Sequence, residues 1–193
     1  TGEASNDVTV VDGATDQVIA RVTVGQQPVT LCYNPQSGEV YCADYLSNTL
    51  SVIDGASDSV IATVPTGMWP WAVLHNPTYN KVYVTNKQDE NVSVIDCAAH
   101  LPVATIQAHG GPRALCYNYR DNKGYVARGI DSVTVFRGST DLIITSLPTG
   151  DGPADLCYNP RNNKVYCASG GGVTVIDGEG DSVRTTVPVQ GAE

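Results

Sequence analysis

Residues Asn80–Asp96 read NKVYVTNKQDENVSVID. Two strand-sized runs, Lys81–Thr85 and Asn91–Ile95, flank a polar connector. The second run alternates polar and apolar residues, the period of a strand with one buried face. Both runs are rich in Val, Ile, Thr and Tyr, which suit a pleated, half-buried surface. The same unit recurs before and after it, so the chain reads as one module copied several times.

Four interlocking series carry the repeat. Residues 8–13 read VTVVDG, 50–55 LSVIDG, 92–97 VSVIDC, 133–138 VTVFRG and 173–178 VTVIDG. Their Asp12, Asp54, Asp96, Arg137 and Asp177 advance by steps of 42, 42, 41 and 40 residues. A second series is PVTLCYNP from Pro28, PWAVLHNP from Pro70, PRALCYNY from Pro112 and PADLCYNP from Pro153. A third is EVYCADY from Glu39, KVYVTNK from Lys81, KGYVARG from Lys123 and KVYCASG from Lys164. The fourth begins at Val18, Val60, Val103, Ile143 and Val183 and runs to a Gly. Each period thus holds four strand segments: a after the Pro, b around Val-Tyr, c ending in Asp-Gly, and d before the Gly.

The connectors agree. Between a and b stands Asn-Pro-x-x followed by Gly38, Asn80 or Asn163, with Asn122 at the matching place in blade three. Gly and Asn tolerate the left-handed conformation that closes a hairpin. Four strands in about 40–45 residues is the period of a propeller blade. The fold class expected is all-β: a β-propeller of four-stranded antiparallel blades.

The segment Val82-Tyr83-Val84-Thr85-Asn86, with NVSVID and the Pro-led a segments, resembles the YVTN β-propeller repeat family. The resemblance extends over essentially the whole chain. It implies a propeller of the kind found in secreted and cell-surface proteins of bacteria and archaea. Blade three departs from the pattern, with Gly124 in segment b and Phe136-Arg137 in place of Ile-Asp.

The repeats make a single propeller domain over 1–193: a half blade at 8–24, then full blades at 28–66, 70–109, 112–149 and 153–189. That is about four and a half blades, a fragment or an incomplete ring. Gln190-Gly191-Ala192-Glu193 reads as the start of a further a segment. The a and b strands of the first blade are missing. Three completions are open: a larger propeller, a five-bladed ring with one two-stranded blade, or two copies joined edge to edge. An open strand edge is a pairing template, so a homo-oligomer through it is an expected partner mode.

The formal net charge is −9. Such a surface repels phosphates, which argues against nucleic acid and anionic membranes. No apolar run approaches the ~20 residues of a membrane span. The chain starts at Thr1, in the manner of a mature or trimmed product. Six cysteines in a Lys-poor, Asn/Thr/Gly-rich chain favour an extracellular, cell-surface or periplasmic location.

Cys32 and Cys42 lie on segments a and b of one blade, and Cys157 and Cys167 at the matching places of another. A three-residue hairpin loop would set Cys32 opposite Cys42 and permit a disulfide; a four-residue loop would set Cys32 opposite Tyr41 and disfavour it. Their Leu and Val equivalents elsewhere support buried small hydrophobes instead. Cys97 and Cys116 are read as free thiols. No metal-ligand spacing or cofactor motif is present, and none is expected. His75 replaces the Tyr of segment a and is read as structural. Asp12, Asp54, Asp96 and Asp177 are read as turn residues, because they recur in every blade but one. Gly170-Gly171-Gly172 lies between two strands and is no phosphate loop. Asn91-Val92-Ser93 is a glycosylation sequon, meaningful only in a eukaryotic secretory setting.

The d–a loops vary: GQQPVT, GMWPWA, HGGPRA and GDGPAD. In a propeller these loops gather on one face, where ligands bind. Trp and Arg are frequent at interaction hot spots. The expected partner-binding residues are Met68, Trp69, Trp71, His109, Arg113 and Asp155. The function expected is a non-enzymatic scaffold that binds a protein or glycan partner through this face. The alternatives are a lyase- or lactonase-like propeller enzyme with a metal at the channel, and a self-assembly module that uses its strand edge.

Overall fold

The computed structural model describes residues 1–2 and 4–189. These contain 18 strands and no helix. Strands β1 (Asp7–Val11) and β2 (Val18–Thr23) form a two-stranded sheet. Four four-stranded sheets follow, each in chain order. The first holds β3 (Pro28–Asn34), β4 (Glu39–Asp44), β5 (Thr49–Asp54) and β6 (Ser59–Pro65). The second holds β7 (Pro70–Asn76), β8 (Lys81–Asn86), β9 (Asn91–Asp96) and β10 (Leu101–Gln107). The third holds β11 (Ala114–Asn118), β12 (Lys123–Arg128), β13 (Ser132–Arg137) and β14 (Ile143–Pro148). The last holds β15 (Asp155–Asn159), β16 (Lys164–Ser169), β17 (Gly172–Asp177) and β18 (Ser182–Val187). The chain is therefore all-β, with antiparallel four-stranded blades and one half blade, the architecture the repeat implies. The segment expected to begin at Gln190 lies outside the described residues. No helix among the described residues is long and apolar enough to cross a membrane.

Contacts divide the chain into two compact units: Thr1–Asp89 with Ser93–Ala104, and Glu90–Val92 with Thr105–Glu193. In the first unit, Tyr41, Ala43, Leu50, Val52 and Val64 of one blade pack on Val82, Val84, Ile95 and Cys97 of the next. On the other face of that blade, Cys42 and Ile53 pack on Val8 and Val22 of the half blade. Strand β4 is thus covered on both sides, and Tyr41, Cys42 and Ala43 are all fully buried. This double burial explains why the b segments read as apolar runs without alternation. In the second unit, Tyr125, Ala127, Val133, Val135 and Leu147 pack on Leu156, Val165, Cys167 and Ile176.

The a–b loop decides the fate of the cysteines. Gly38 (φ 74°), Asn80 (48°), Asn122 (55°) and Asn163 (55°) all adopt the left-handed conformation, as their residue types suggest. The loop has four residues, because Asn34 pairs with Glu39. Cys32 therefore stands opposite Tyr41, and Cys42 opposite Leu31. Cys157 likewise faces Tyr166, and Cys167 faces Leu156. One residue more in the loop moves each pair to opposite faces of the sheet. The disulfides Cys32–Cys42 and Cys157–Cys167, left open by the sequence, are thereby corrected: all six cysteines are unbonded. Burial raises the thiol of Cys42 and pushes that of Cys97 up to about 11. Both behave as small hydrophobes.

The two departures of blade three compensate each other. Gly124 pairs with Phe136 across the β12–β13 ladder. A Cβ on Gly124 would collide with the Phe136 ring. Elsewhere this pair is Val40–Ile53 or Val165–Ile176. One large and one small side chain fill the space of two medium ones.

Candidate functional site on the loop face of the first unit

The d–a loops share one backbone form. Gln27, Trp69, Gly111 and Gly152 all precede the loop Pro, and all have positive φ, at 52°, 59°, 60° and 58°. Gly adopts this conformation without strain, whereas a bulky aromatic residue is a genuine outlier there. Two blades place Gly at the position; the second places Trp. The strained residue is held by its surroundings. Its N–H donates to Asn48 Oδ1 at 3.0 Å, as that of Gln27 donates to Asn6 Oδ1 at 3.0 Å. Its carbonyl accepts from the Lys87 N–H at 3.0 Å. The preceding Met68 N–H donates to Asp89 Oδ2 at 2.8 Å, and its carbonyl accepts from the Gln88 N–H at 3.2 Å.

The opening Gly of the loop has a separate cause. A Cβ on Gly25 would lie 2.6 Å from Asp44 Cβ, and one on Gly67 would lie 2.7 Å from Asn86 Nδ2. The last side chain of strand b occupies that space. Asp44 Oδ2 accepts from Ser51 Oγ at 2.7 Å, and Asn86 Nδ2 donates to Ser93 Oγ at 2.8 Å. Burial raises the Asp44 carboxyl above its usual range.

An aromatic cluster sits on this frame. The Trp69 ring stacks on Tyr45, with centroids 5.6 Å apart and planes 23° apart. Trp71 meets the same Tyr45 edge-on at 6.0 Å. The Lys87 ammonium lies 3.8 Å from the Trp71 ring centroid, a cation–π contact. Despite these contacts, Trp69 is 38% and Trp71 39% exposed. Met68 and Leu46, the sequence neighbours of Trp69 and Tyr45, are also exposed. Ser47, Gln88 and Asp89 carry polar groups on the loops of Tyr45 and Lys87.

Of the six expected residues, Trp69 and Trp71 meet on Tyr45, and Met68 precedes Trp69 in the same loop. Both Trp side chains pack on Tyr45 and both stay partly exposed. Tyr45 and Lys87 were missed by the sequence reading. They occupy the same repeat position, just after strand b, where the other blades have Gly129 and Gly170. That variation was the available signal.

The other three expected residues lie in the second unit and make local contacts. The His109 N–H donates to the Glu90 carbonyl at 2.7 Å, and that of Arg113 to the Ala127 carbonyl at 3.0 Å. Asp155 Oδ1 accepts from the Leu156 N–H at 2.8 Å. Asp155 also borders a mostly apolar cavity of about 190 Å³, lined further by Cys157, Tyr166, Ala168 and Val173. Among the described residues no group of three or more His, Cys, Asp or Glu side chains could hold a metal ion.

The recurrent Asp residues are turn formers. Asp12, Asp54, Asp96 and Asp177 each accept from backbone N–H groups two and three residues on. A hydrogen bond from the Thr15 hydroxyl lowers the Asp12 carboxyl, and one from the Ser57 hydroxyl lowers Asp54. The Gly180 N–H does the same for Asp177. His75 is buried, and desolvation lowers its pKa, as befits a structural imidazole.

No protein-family profile matches the chain. No curated protein matches it either. Solved structures do. The chain is similar to Kuenenia stuttgartiensis hydrazine synthase, with a TM-score of 0.77 and 19% identity, over 84% of this chain and 49% of that one. It is also similar to the dihydro-heme d1 dehydrogenase NirN in complex with DHE, with a TM-score of 0.82 and 19% identity. That match covers 98% of this chain and 43% of NirN. The chain spans less than half the length of each of these two solved chains. At this identity the likeness is one of fold, and the fold they share with this chain is the β-propeller.

Proposed function

We propose that the chain is a YVTN-type propeller scaffold of a secreted, cell-surface or periplasmic protein. It binds a partner without chemical turnover, through the loop face that carries Tyr45, Met68, Trp69 and Trp71. The observation that supports this most is Trp69 itself. A bulky ring stands at a left-handed position where two equivalent loops use Gly, and it stays 38% exposed. Backbone strain at a large side chain that stays partly exposed is a reason to look for function. Trp is also the residue type most enriched at binding hot spots.

The chain has two Trp residues, and both belong to this cluster. Indole emission therefore reports this face alone. The test titrates the protein with a panel of soluble polysaccharides and extended peptides, and recovers each ligand for mass analysis. A saturable emission change with ligand recovered intact supports the reading. Consumption of the ligand would favour an enzyme, and silence across the panel would remove the binding face.

A further inference from the structure

We infer that the Trp69 platform takes a neutral hexopyranose chain, one whose ring hydroxyls are mostly equatorial. This rests on the binding-face reading above and gives its ligand a chemical class.

The first argument is the shape of what is left open. Tyr45 covers one side of the Trp69 ring, which leaves the other side of this 38% exposed residue as the plane on which a ligand would stack. Lys87 stands over Trp71. The cluster therefore offers one open aromatic plane. A pyranose with equatorial hydroxyls has flat faces made of axial C–H groups. Such a face stacks on an indole and keeps its hydroxyls at the periphery. The loops that carry Tyr45 and Lys87 also carry Ser47, Gln88 and Asp89, whose polar groups can donate to or accept from hydroxyl groups.

The second argument separates a glycan from a peptide. An extended peptide that adds to a sheet needs unpaired backbone groups on its receptor. Here the loop backbone is already engaged. The N–H groups of Met68 and Trp69 go to Asp89 and Asn48, and their carbonyls to Gln88 and Lys87. What the loop presents outward is a ring plane and side-chain polar groups.

The third argument is charge. The formal net charge of −9 opposes anionic ligands at long range. Beside the platform, the cation Lys87 lies two residues from the acid Asp89, so their charges offset each other toward a uronate. A neutral sugar meets neither barrier.

The experiment uses indole emission and calorimetry on the whole chain. The probes are cellohexaose, hexa-N-acetylchitohexaose and mannohexaose, with hexagalacturonate and an extended nonapeptide as competitors for the assignment. The expected result is a saturable emission shift with at least one neutral oligosaccharide. Trp69→Ala should weaken that binding at least about tenfold, with the residual emission of Trp71 and an unchanged circular dichroism spectrum showing an intact fold. Tyr45→Ala keeps the plane but removes its support, and should weaken binding about threefold. Binding of hexagalacturonate or of the peptide at Trp69, without any neutral sugar, overturns the inference and leaves the binding face standing. Binding of a neutral sugar that Trp69→Ala does not change overturns the inference too. No response to any probe removes both.

Discussion

The two blade pairs, one in each unit, are joined by the same device with opposite polarity. In the first unit Glu39 starts strand b and reaches the c–d turn of the next blade, where His100 Nε2 lies 3.0 Å from its carboxylate. In the second unit Lys123 holds the position of Glu39, and Asp181 that of His100; their ion pair measures 2.7 Å. Lys123 also donates to the carbonyls of Gly178 and Glu179, at 3.0 and 3.1 Å. An Asn pair recurs unchanged beside each bolt: Asn34 donates to Asn80 at 3.2 Å, and Asn118 to Asn163 at 2.9 Å. The frame therefore fixes where an inter-blade contact forms and leaves its chemistry open. The loops differ more. The first unit carries Tyr45, Trp69, Trp71 and Lys87, where the second carries Gly129, Gly111, Arg113 and Gly170 among the matching positions. A repeat constrains what every copy must do, and divergence collects where only one copy needs something.

The comparison can be broken hardest at Gly124. Gly124→Val gives blade three the residue of the other blades but leaves Phe136 in the way. Unfolding in urea should show a loss of roughly 3 kcal/mol, and Phe136→Ile added to it should restore most of that. A Gly124→Val protein as stable as the parent would show that the two departures are unrelated.

The bolt comes next. His100→Asp sets a carboxylate against Glu39 and should cost about 2 kcal/mol of stability, since both side chains are largely shielded. Adding Glu39→Lys recreates the arrangement of the second unit and should recover most of the loss. If the double variant is no better than the single one, the two bolts are not equivalent.

His75 sharpens the comparison at low pH. Tyr33, Tyr117 and Tyr158 occupy its position in the other blades. Desolvation lowers its pKa in the fold from the ordinary 6.5, with Asn80 opposing the shift. The folded state thus disfavours the charged imidazole. Its full contribution is present above pH 6.5 and is lost as pH falls toward and through the lowered folded value. His75→Tyr should remove this part of the acid sensitivity, so that less stability is lost between pH 8 and pH 5. Thermal midpoints at pH 8 and pH 5 measure it; an unchanged difference between the two pH values would remove the assignment.

The smallest effect belongs to Trp69→Gly. Gly relieves a left-handed strain of about 1 kcal/mol, and loss of the Tyr45 stack costs a similar amount. Stability should move by less than about 0.5 kcal/mol, while the loop face loses its exposed plane. A loss above about 2 kcal/mol would mark Trp69 as a packing residue.

Period, strand order and turn positions were legible in the residues. Backbone propensity and side-chain alternation are local, and a repeat averages out the noise in each copy. The Asn and Gly of the a–b loop announced their left-handed conformation, and the Asp of each c–d turn announced its side-chain cap, because both effects act within three residues. The variable d–a loops were also visible as the place to look. Three things waited for the tertiary structure. The loop length that separates Cys32 from Cys42 turns on a single residue, and sequence patterns do not resolve one-residue register. The compensation of Gly124 by Phe136 acts across a ladder between residues 12 apart in sequence. The platform joins Tyr45 of one blade to Trp69 and Trp71 of the next. Neither segment contains that contact by itself; it forms where two blades are packed side by side, and burial of the Val, Ile and Tyr faces between them is what brings the rings together.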